Sequence, residues 1–330
     1  MTTTTEVPRV TVVIPARNAE RDLPRALDSI VAQTYVSWKA VVVDDASSDG
    51  TGDVARAFAE RWPGRFTVLR EDENVGVPRA RNAGVAASGG GELLALLDAD
   101  DYWREDYLAR SIELYDEGLA TGRAVGIVAC NALLEGPGGI ASQTFADFFG
   151  WTEPITYDDM IERNCILARA VLSRAAYDEV GGFAPECAVR DASRGLYAAS
   201  DDYDMWLRVM EAGYEVVSTR ETIAVYRHDV ASASHNPLMH AEANMSVYRR
   251  ALDRGRVSPG RRRALKARMR HYRALRERAL VYEALAARRP LAVPVRALRA
   301  APWGLIALLQ KPSRWGEWVS SLRYRRATLS

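Results

Sequence analysis

The first hundred residues alternate between short apolar runs and segments with helical spacing. The apolar, β-branched runs predict four strands, at 9–15, 38–45, 66–71 and 92–100. Helical patterns lie between them, at 22–33, 49–62 and 77–90. This alternation predicts a doubly wound, mainly parallel sheet flanked by helices. In such sheets ligands bind outside the carboxyl ends of the strands.

Composition places the chain among ordinary globular proteins. Its 330 residues with 48% hydrophobic content allow one large domain with an appendage, or two domains. Cys130, Cys165 and Cys187 form neither a CxxC pair nor an even set, so a zinc site or disulfide framework is not indicated. Neither a signal-like apolar segment nor a stretch of membrane-span length is evident. We therefore expect a cytoplasmic protein with reduced thiols.

Beyond residue 101 the pattern becomes less regular. A helix, a strand and a long loop-like stretch over 135–160 are expected first. The segment 200–213, "SDDYDMWLRVMEAG", predicts a helix, and 214–228 predicts two short strands.

Positive charge is concentrated at the C-terminal end. Residues 251–330 hold 20 Lys+Arg and 4 Asp+Glu, a net +16, whereas residues 1–250 hold 24 and 39, a net −15. Apolar positions from Leu265 to Leu285 recur every three or four residues, which predicts an amphipathic, Arg-rich helix over 261–289. Two interpretations stay open: contact with an anionic membrane, or packing onto the acidic domain or in a homodimer.

Adjacent carboxylates at strand ends are the first functional signal. Asp44 and Asp45 close the second predicted strand, where charge repulsion and burial both act against them. We interpret them as ligands for a nucleobase N–H or for ribose hydroxyls.

A second group of carboxylates follows the fourth predicted strand. Asp98 and Asp100 are two residues apart, so on a strand they would point the same way and could share a cation. Hard oxygen ligands favour Mg²⁺ or Mn²⁺, which commonly takes phosphate oxygens as further ligands. The alternative is a solvated acidic turn.

Cations suited to a diphosphate occur in "NVGVPRARNAG", residues 74–84. Arg79 and Arg81 lie with Asn74 near a predicted helix start, where backbone N–H groups and the helix dipole favour anions. Together with the acidic strand ends, this segment predicts a nucleoside diphosphate site.

Asp201 and Asp202 immediately precede the helix predicted after residue 200. Two interpretations apply to this pair: a helix cap, or a general base held in a cleft.

Seven motifs in order carry a resemblance to a known family. They are "VTVVIPARN", "VVVDDASSDGT", "NVGVPRARNAG", "LLDADD", "YDEVGGF", "SDDYDMWLR" and "YRHDVASAS". Over about residues 9–235 the chain resembles the family 2 glycosyltransferases, inverting enzymes of the GT-A fold that use nucleotide-diphospho-sugars. The resemblance implies a GT-A domain over 1–240, with a nucleotide-binding half (1–105) and an acceptor half (106–240). Residues 241–330 would form a basic, mostly helical extension.

The resemblance also implies roles for individual residues. The donor-binding set would be Pro15, Ala16, Arg17, Asn18, Asp44, Asp45, Asn74, Arg79, Arg81, Asp98 and Ala99. Asp100 would bind the metal, Mn²⁺ or Mg²⁺, and His228 matches a position that can complete the metal shell. Asp202 would be the catalytic base. Trp151, Gly182 and Asp201 would lie on the acceptor side.

The resulting hypothesis is a metal-assisted, inverting hexosyltransferase. The donor would be a UDP-sugar, with dTDP and GDP as alternatives, and the acceptor a hydroxyl of a glycan, lipid-linked or small molecule, as in cell-envelope polysaccharide synthesis. Two other classes stay open: a nucleotidyltransferase of similar architecture, and a non-catalytic nucleotide- or nucleic-acid-binding protein. A nucleotidyltransferase would need a Gly-rich loop after the first strand, and "PARNAERDLP" contains no glycine.

Overall fold

The computed structural model of the chain describes residues 7–136, 139–151, 153–191, 196–227 and 236–286. None of the helices in these segments combines the length and the hydropathy that crossing a bilayer requires.

The described chain forms eleven strands and ten α-helices, with a short 3₁₀ turn at Pro185–Cys187. The strands are β1 Val10–Ala16, β2 Trp38–Asp44, β3 Phe66–Arg70, β4 Leu93–Leu96, β5 Tyr102–Trp103, β6 Val125–Gly136, β7 Gly139–Thr144, β8 Val171–Ser173, β9 Ala188–Asp191, β10 Leu196–Ala199 and β11 Glu215–Arg227. The helices are α1 Leu23–Val31, α2 Thr51–Arg61, α3 Val77–Ala86, α4 Tyr107–Ala120, α5 Phe145–Phe149, α6 Tyr157–Glu162, α7 Arg174–Val180, α8 Asp201–Glu211, α9 Pro237–Arg254 and α10 Pro259–Ala286.

The central sheet has the strand order β3-β2-β1-β4-β8-β6-β11-β5, with β7 paired to β6. Pairing is parallel across β3, β2, β1 and β4 and again between β6 and β11. Strand β8 is antiparallel to both of its neighbours. The predicted α/β class, a mixed and mainly parallel sheet flanked by helices, is confirmed. Strand order reverses at β1, between β2 and β4, where a doubly wound sheet opens a crevice for ligands.

Helix α3 packs closely on the strands that carry this crevice. A Cβ on Gly84 would lie 2.7 Å from a methyl group of Val13 and 3.2 Å from one of Val43. Because only glycine permits this approach, the glycine of "RNAG" brings the helix down onto β1 and β2.

Three predictions of secondary structure are corrected. The stretch 135–160 contains β7, α5 and α6 in place of a loop, and β11 is one long irregular strand where two short ones were predicted. Strand β4 ends at Leu96, four residues before the predicted end. Asp98 and Asp100 therefore lie in a turn, so strand alternation does not orient them.

The C-terminal helices α9 and α10 pack on α8 and α6. Asp204 of α8 is fully buried and accepts from Arg250 and Arg254 of α9, at 3.2 and 2.9 Å. Helix α10 lies against α9 and α6, where Leu265 is buried. The helix predicted over 261–289 is observed as α10, Pro259–Ala286. The predicted domain boundary at residue 240 falls within α9, Pro237–Arg254.

Candidate active site

The crevice at the carboxyl ends of β1, β2 and β4 gathers the predicted strand-end residues. Ala16 and Asp44 are register partners at the ends of β1 and β2. Leu96 pairs with Val13, so the turn that follows β4 emerges beside the end of β1. Pro15, Ala16, Asp44, Asp45 and Asp98 are therefore brought to one edge of the sheet.

Asp44 and Asp45 are buried and engaged by the protein itself. Asp44 forms an ion pair with Arg70 and accepts from the backbone N–H of Ser47 at 3.0 Å. Asp45 accepts from the N–H groups of Val75 at 2.6 Å and Gly76 at 3.0 Å. The two carboxylates tolerate proximity because separate donors compensate each one. A role of either carboxylate in reading a base remains a prediction.

Arg17 and Asn18 form the rim of the crevice. Arg17 is exposed, and its Nη1 donates to the carbonyl of Asp45 at 2.8 Å. Asn18 has a positive φ of 48°, and its Oδ1 accepts from the N–H of Ser48 at 2.9 Å. These bonds fix the loop after β1 against the loop after β2.

The backbone N–H groups at the start of α3, which were predicted to bind an anion, are bound by other groups of the protein. The Val75 and Gly76 N–H groups bind Asp45, and Val77 N–H donates to the Tyr197 hydroxyl at 3.1 Å. Asn74 accepts from Arg190 through its carbonyl and its Oδ1, both at 3.1 Å. Most backbone donors expected to bind phosphate are thus engaged within the protein.

The two arginines of α3 have different environments. Arg79 is exposed, and no ion pair to it occurs among the described residues. Arg81 is 3% exposed and forms ion pairs with Asp98 at 2.7 Å and Asp201 at 2.8 Å. Its Nε has no hydrogen-bond partner in the described structure. Arg81 therefore joins the turn after β4 to the start of α8.

The turn 98–101 holds three carboxylates of unequal availability. Asp98 is paired with Arg81, and Asp101 is buried, paired with Arg169 and bound by the N–H of Arg227 at 3.0 Å. Asp100 is exposed and has no hydrogen bond or ion pair to other described side chains. The pKa of Asp100 is raised mainly by desolvation and, to a smaller extent, by the negative charge of Asp98. The turn thus presents a free carboxylate in a negative environment.

A divalent cation suits this donor set, although the protein supplies few ligands. In the described segments there is no group of three or more His, Cys, Asp or Glu side chains placed to hold a metal. Asp100 and the unpaired Oδ2 of Asp98 are hard oxygen donors. Such an open set fits Mg²⁺ or Mn²⁺ that takes its remaining ligands from a diphosphate and water. His228, the other predicted ligand, lies outside the described residues.

Asp201 and Asp202 open α8 without capping it. The N-cap is Ser200, which makes no side-chain cap bond, and the Asp201 carboxylate is directed to Arg81. Asp202 is half-buried and accepts from the Asn164 side-chain amide at 3.1 Å. The pKa of Asp202 is raised to about 6, mainly by burial and, to a smaller extent, by the negative charge of Asp201. A carboxylate with this pKa is suited to proton abstraction near neutral pH.

Two of the residues predicted on the acceptor side, Trp151 and Gly182, are buried in the structure. Trp151 is 3% exposed and packs edge-on against Phe145, with ring centroids 6.3 Å apart, so its face is not open to a sugar. Gly182 is buried in the turn after α7, and its carbonyl accepts from Arg208 at 2.7 Å. A Cβ at Gly182 would meet the Tyr177 hydroxyl at 2.9 Å. A role of either residue on the acceptor side remains a prediction.

Sequence reasoning missed three residues around the site, Asn164, Arg169 and Tyr197. Arg169 is 3% exposed, and its guanidinium lies 4.5 Å from the centre of the Tyr226 ring. None of the three belongs to a motif used in the sequence analysis. These residues lie on chain segments that are distant in sequence from the motifs. Their proximity to the site is therefore evident only from the fold.

The sheet order and the flanking helices define the class as a GT-A-type fold. The family model described as "Glycosyl transferase family 2" matches residues 11–180. The chain belongs to glycosyl transferase family 2.

Individual relatives agree with this assignment. A putative teichuronic acid biosynthesis glycosyltransferase, TuaG of Bacillus subtilis (strain 168), is 27% identical over 243 residues, covering 73% of this chain and 88% of the relative. The succinoglycan biosynthesis protein ExoO of Rhizobium meliloti (strain 1021) is 40% identical over 111 residues, 34% of this chain and 31% of that protein.

Solved structures share the fold. A mannosyltransferase from Pyrobaculum calidifontis, solved with GDP-Man and Mn²⁺, has a TM-score of 0.63 at 24% identity and covers 97% of this chain and 85% of its own. The S. aureus TarS 1-349 structure with UDP-GlcNAc has a TM-score of 0.57 at 16% identity. The match covers 95% of this chain and 79% of the TarS chain.

Proposed function

We propose that the protein is a metal-assisted, inverting hexosyltransferase that uses a nucleotide-diphospho-sugar. The observation that carries the proposal is the Arg81 bridge between Asp98 and Asp201. It links the open carboxylate turn to the start of α8, where Asp202 has a raised pKa. One network thus connects a candidate cation-binding turn and a candidate base, the two groups that metal-assisted inverting transfer would use.

The donor would lie along the carboxyl edge of β1, β2 and β4. The loops that carry Arg17 and Asn18 would border the nucleoside, and the exposed Arg79 would approach the diphosphate. The neighbouring structures bind GDP-Man, UDP and UDP-GlcNAc. A UDP-sugar is our first choice of donor, with GDP and dTDP as the alternatives in the test below.

The metal would be held by Asp100, with Asp98 beside it. A bound Mg²⁺ or Mn²⁺ supplies Lewis-acid stabilisation of negative charge on the leaving diphosphate. The contribution of this chain is to keep Asp100 free: Arg81 engages Asp98, and Arg169 engages Asp101. His228 remains a candidate for an additional ligand.

Asp202 would act as the general base. It would take the proton of the acceptor hydroxyl while the oxygen attacks the anomeric carbon from the face opposite the diphosphate. One glycosidic bond forms, the bond to the diphosphate breaks, and the anomeric configuration inverts. Because Asp202 has a pKa of about 6, it is ionised at pH 7 and basic enough to accept a proton.

The acceptor would be a hydroxyl of a glycan, a lipid-linked molecule or a small molecule, as in cell-envelope polysaccharide synthesis. Relatives named for teichuronic acid and succinoglycan biosynthesis support this assignment. Membership of glycosyl transferase family 2 argues against the nucleotidyltransferase alternative, which would release pyrophosphate in place of a nucleoside diphosphate.

The outer face of α10 supports peripheral contact with an anionic membrane. On the inner side Arg261 pairs with Asp158 and Arg276 with Glu242. Four exposed cations, Arg263, Lys266, Arg270 and Arg273, lie on the outer face and make no ion pair with described residues. Their spacing places them along one side of the helix, over about 15 Å. Such a row matches the negative charge of anionic lipid.

The experiment that tests the proposal measures nucleotide binding first. Thermal unfolding is followed with UDP, dTDP, GDP and CDP, each with and without Mn²⁺, and then nucleoside diphosphate release is followed from the matching sugar nucleotides. Stabilisation by one nucleotide that requires the metal, followed by release of that nucleoside diphosphate, is the expected result. Stabilisation by none of the four would contradict it.

A further inference from the structure

The Asp202 carboxylate is bound by a side chain from a different part of the fold. Asn164 lies in the segment between α6 and β8, and its Nδ2 donates to Asp202 Oδ2 at 3.1 Å. No other side-chain donor to this carboxylate occurs among the residues that the structure describes. The contact joins positions 38 residues apart, and Asn164 belongs to no motif of the family resemblance.

The orientation of the Asn164 amide is fixed by a second hydrogen bond. Its Oδ1 accepts from the backbone N–H of Ile166 at 3.2 Å. Ile166 and Cys165 are buried, which anchors this backbone. Because Oδ1 is occupied by a donor, the –NH₂ end is the one that faces Asp202.

The charged groups around Asp202 come from three elements. Asp201 precedes it on α8, and the charges of Arg81 on α3 and Asp98 in the turn after β4 also act on it. Asp201 and Asp98 disfavour the ionised form of Asp202, and Arg81 favours it. Arg81 has both terminal nitrogens committed to the other two aspartates. A neutral donor such as Asn164 can therefore hold Asp202 without drawing Arg81 away.

We propose that Asn164 is the positioning residue of the base. By binding Oδ2, it fixes rotation of the carboxylate and leaves Oδ1 for the acceptor hydroxyl. An N–H donor also favours the ionised form, which opposes the effect of burial. This inference rests on the proposed function, in which Asp202 is the base.

Two substitutions separate the hydrogen bond from simple packing. Asn164→Ala removes the donor. Asn164→Asp keeps the shape and the ability to accept from the Ile166 N–H, but places a carboxylate against Asp202. The Asp202 pKa should rise in both variants, by about one pH unit in Asn164→Ala and by more in Asn164→Asp.

The direct test is a pH titration of the aspartate side-chain carbons by NMR, on protein labelled with ¹³C at aspartate Cγ. The Asp202 signal is identified by its absence in Asp202→Asn. An Asp202 pKa that is the same in wild type, Asn164→Ala and Asn164→Asp would overturn the proposal. This measurement needs no substrate.

The kinetic test uses nucleoside diphosphate release from the sugar nucleotide selected in the binding experiment. In Asn164→Ala, kcat at pH 7 should fall about tenfold, and the acidic limb of its pH profile should move to higher pH, with the donor KM unchanged. A wild-type rate with an unchanged profile in the variant would overturn the positioning role alone. Absence of release by the wild type would instead overturn the proposed function.

Discussion

Arg81 and Asp201 are 120 residues apart in sequence and form a buried ion pair of 2.8 Å, with both side chains 3% exposed. The same guanidinium binds Asp98 at 2.7 Å. The arginine belongs to the nucleotide-binding half and Asp201 to the acceptor half of the predicted domain. This pair therefore fixes the distance between the carboxylate turn and the helix that carries Asp202.

Loss of Arg81 should destabilise the fold as well as the site. Arg81→Met leaves Asp201 buried without its cation, which costs on the order of 3 to 5 kcal/mol of unfolding free energy. Urea denaturation at pH 7 measures this change. The matched control is Arg79→Met on the same helix, which is exposed and should change stability by less than about 0.5 kcal/mol. Equal effects of the two substitutions would contradict the structural role of Arg81.

Asp202→Asn should abolish proton abstraction and leave donor binding intact. We expect the rate of nucleoside diphosphate release to fall by about 10² to 10⁴, because a general base contributes on this scale. Thermal stabilisation by the nucleotide with Mn²⁺ should match that of the wild type. If release stays within a factor of about three of the wild-type rate, Asp202 is not the base.

The same substitution should stabilise the protein at high pH. The folded-state pKa of Asp202, about 6, lies above its ordinary value, so the neutral form is favoured in the fold. Its contribution to stability is complete below the ordinary pKa and is lost as pH rises through 6. Asp202→Asn should therefore be more stable than the wild type by about 1 to 2 kcal/mol at pH 8.

Urea denaturation at pH 8, 6 and 4.5 measures this difference, which should shrink as pH falls. Glu60→Gln, on the exposed side of α2, is the control for removal of a negative charge. A difference that grows toward low pH would show that the pKa of Asp202 is lowered in the fold.

Asp100→Ala should remove the metal dependence of nucleotide binding. In the wild type, a nucleotide with Mn²⁺ at a hundredfold excess over its dissociation constant should add about 2.7 kcal/mol of stability. The variant should lose the part that requires the metal. Without ligand it should be at least as stable as the wild type, because the raised pKa of Asp100 shows that its ionised form is disfavoured in the fold. Asp53→Ala on α2, also exposed, is the control. Metal-dependent stabilisation that survives in Asp100→Ala would place the cation elsewhere.

Charge reversal on the outer face of α10 should weaken binding to anionic vesicles. The test variant carries Lys266→Glu and Arg270→Glu. The control variant carries Arg56→Glu and Arg61→Glu on α2, and both double variants change the net charge by the same amount. Co-sedimentation with vesicles of phosphatidylcholine and phosphatidylglycerol measures binding. Only the α10 variant should lose it, by about tenfold or more, since each cation near such a surface contributes about 1 kcal/mol. Equal losses in both variants would indicate general charge attraction.

Much of the architecture could be predicted from the sequence. The alternation of β-branched runs with helical spacing predicted the strands β1 to β4 and the helices between them, because side-chain periodicity reflects which face is buried. The motifs predicted where carboxylates and arginines occur along the chain. Element ends were less predictable: β4 ends at Leu96, and 135–160 contains short elements whose burial depends on distant partners.

The sequence by itself determined the family, the class of fold and the residues that can carry chemistry. Only the tertiary structure decided which of these groups are available. Asp44, Asp45, Asp98, Asp100, Asp101, Asp201 and Asp202 are the same residue type, and the motifs alone do not show which of them are buried, paired or exposed. The fold pairs Asp44 with Arg70 and Asp101 with Arg169, and leaves Asp100 exposed. Availability depends on burial and on partners far along the chain, and chain packing determines both.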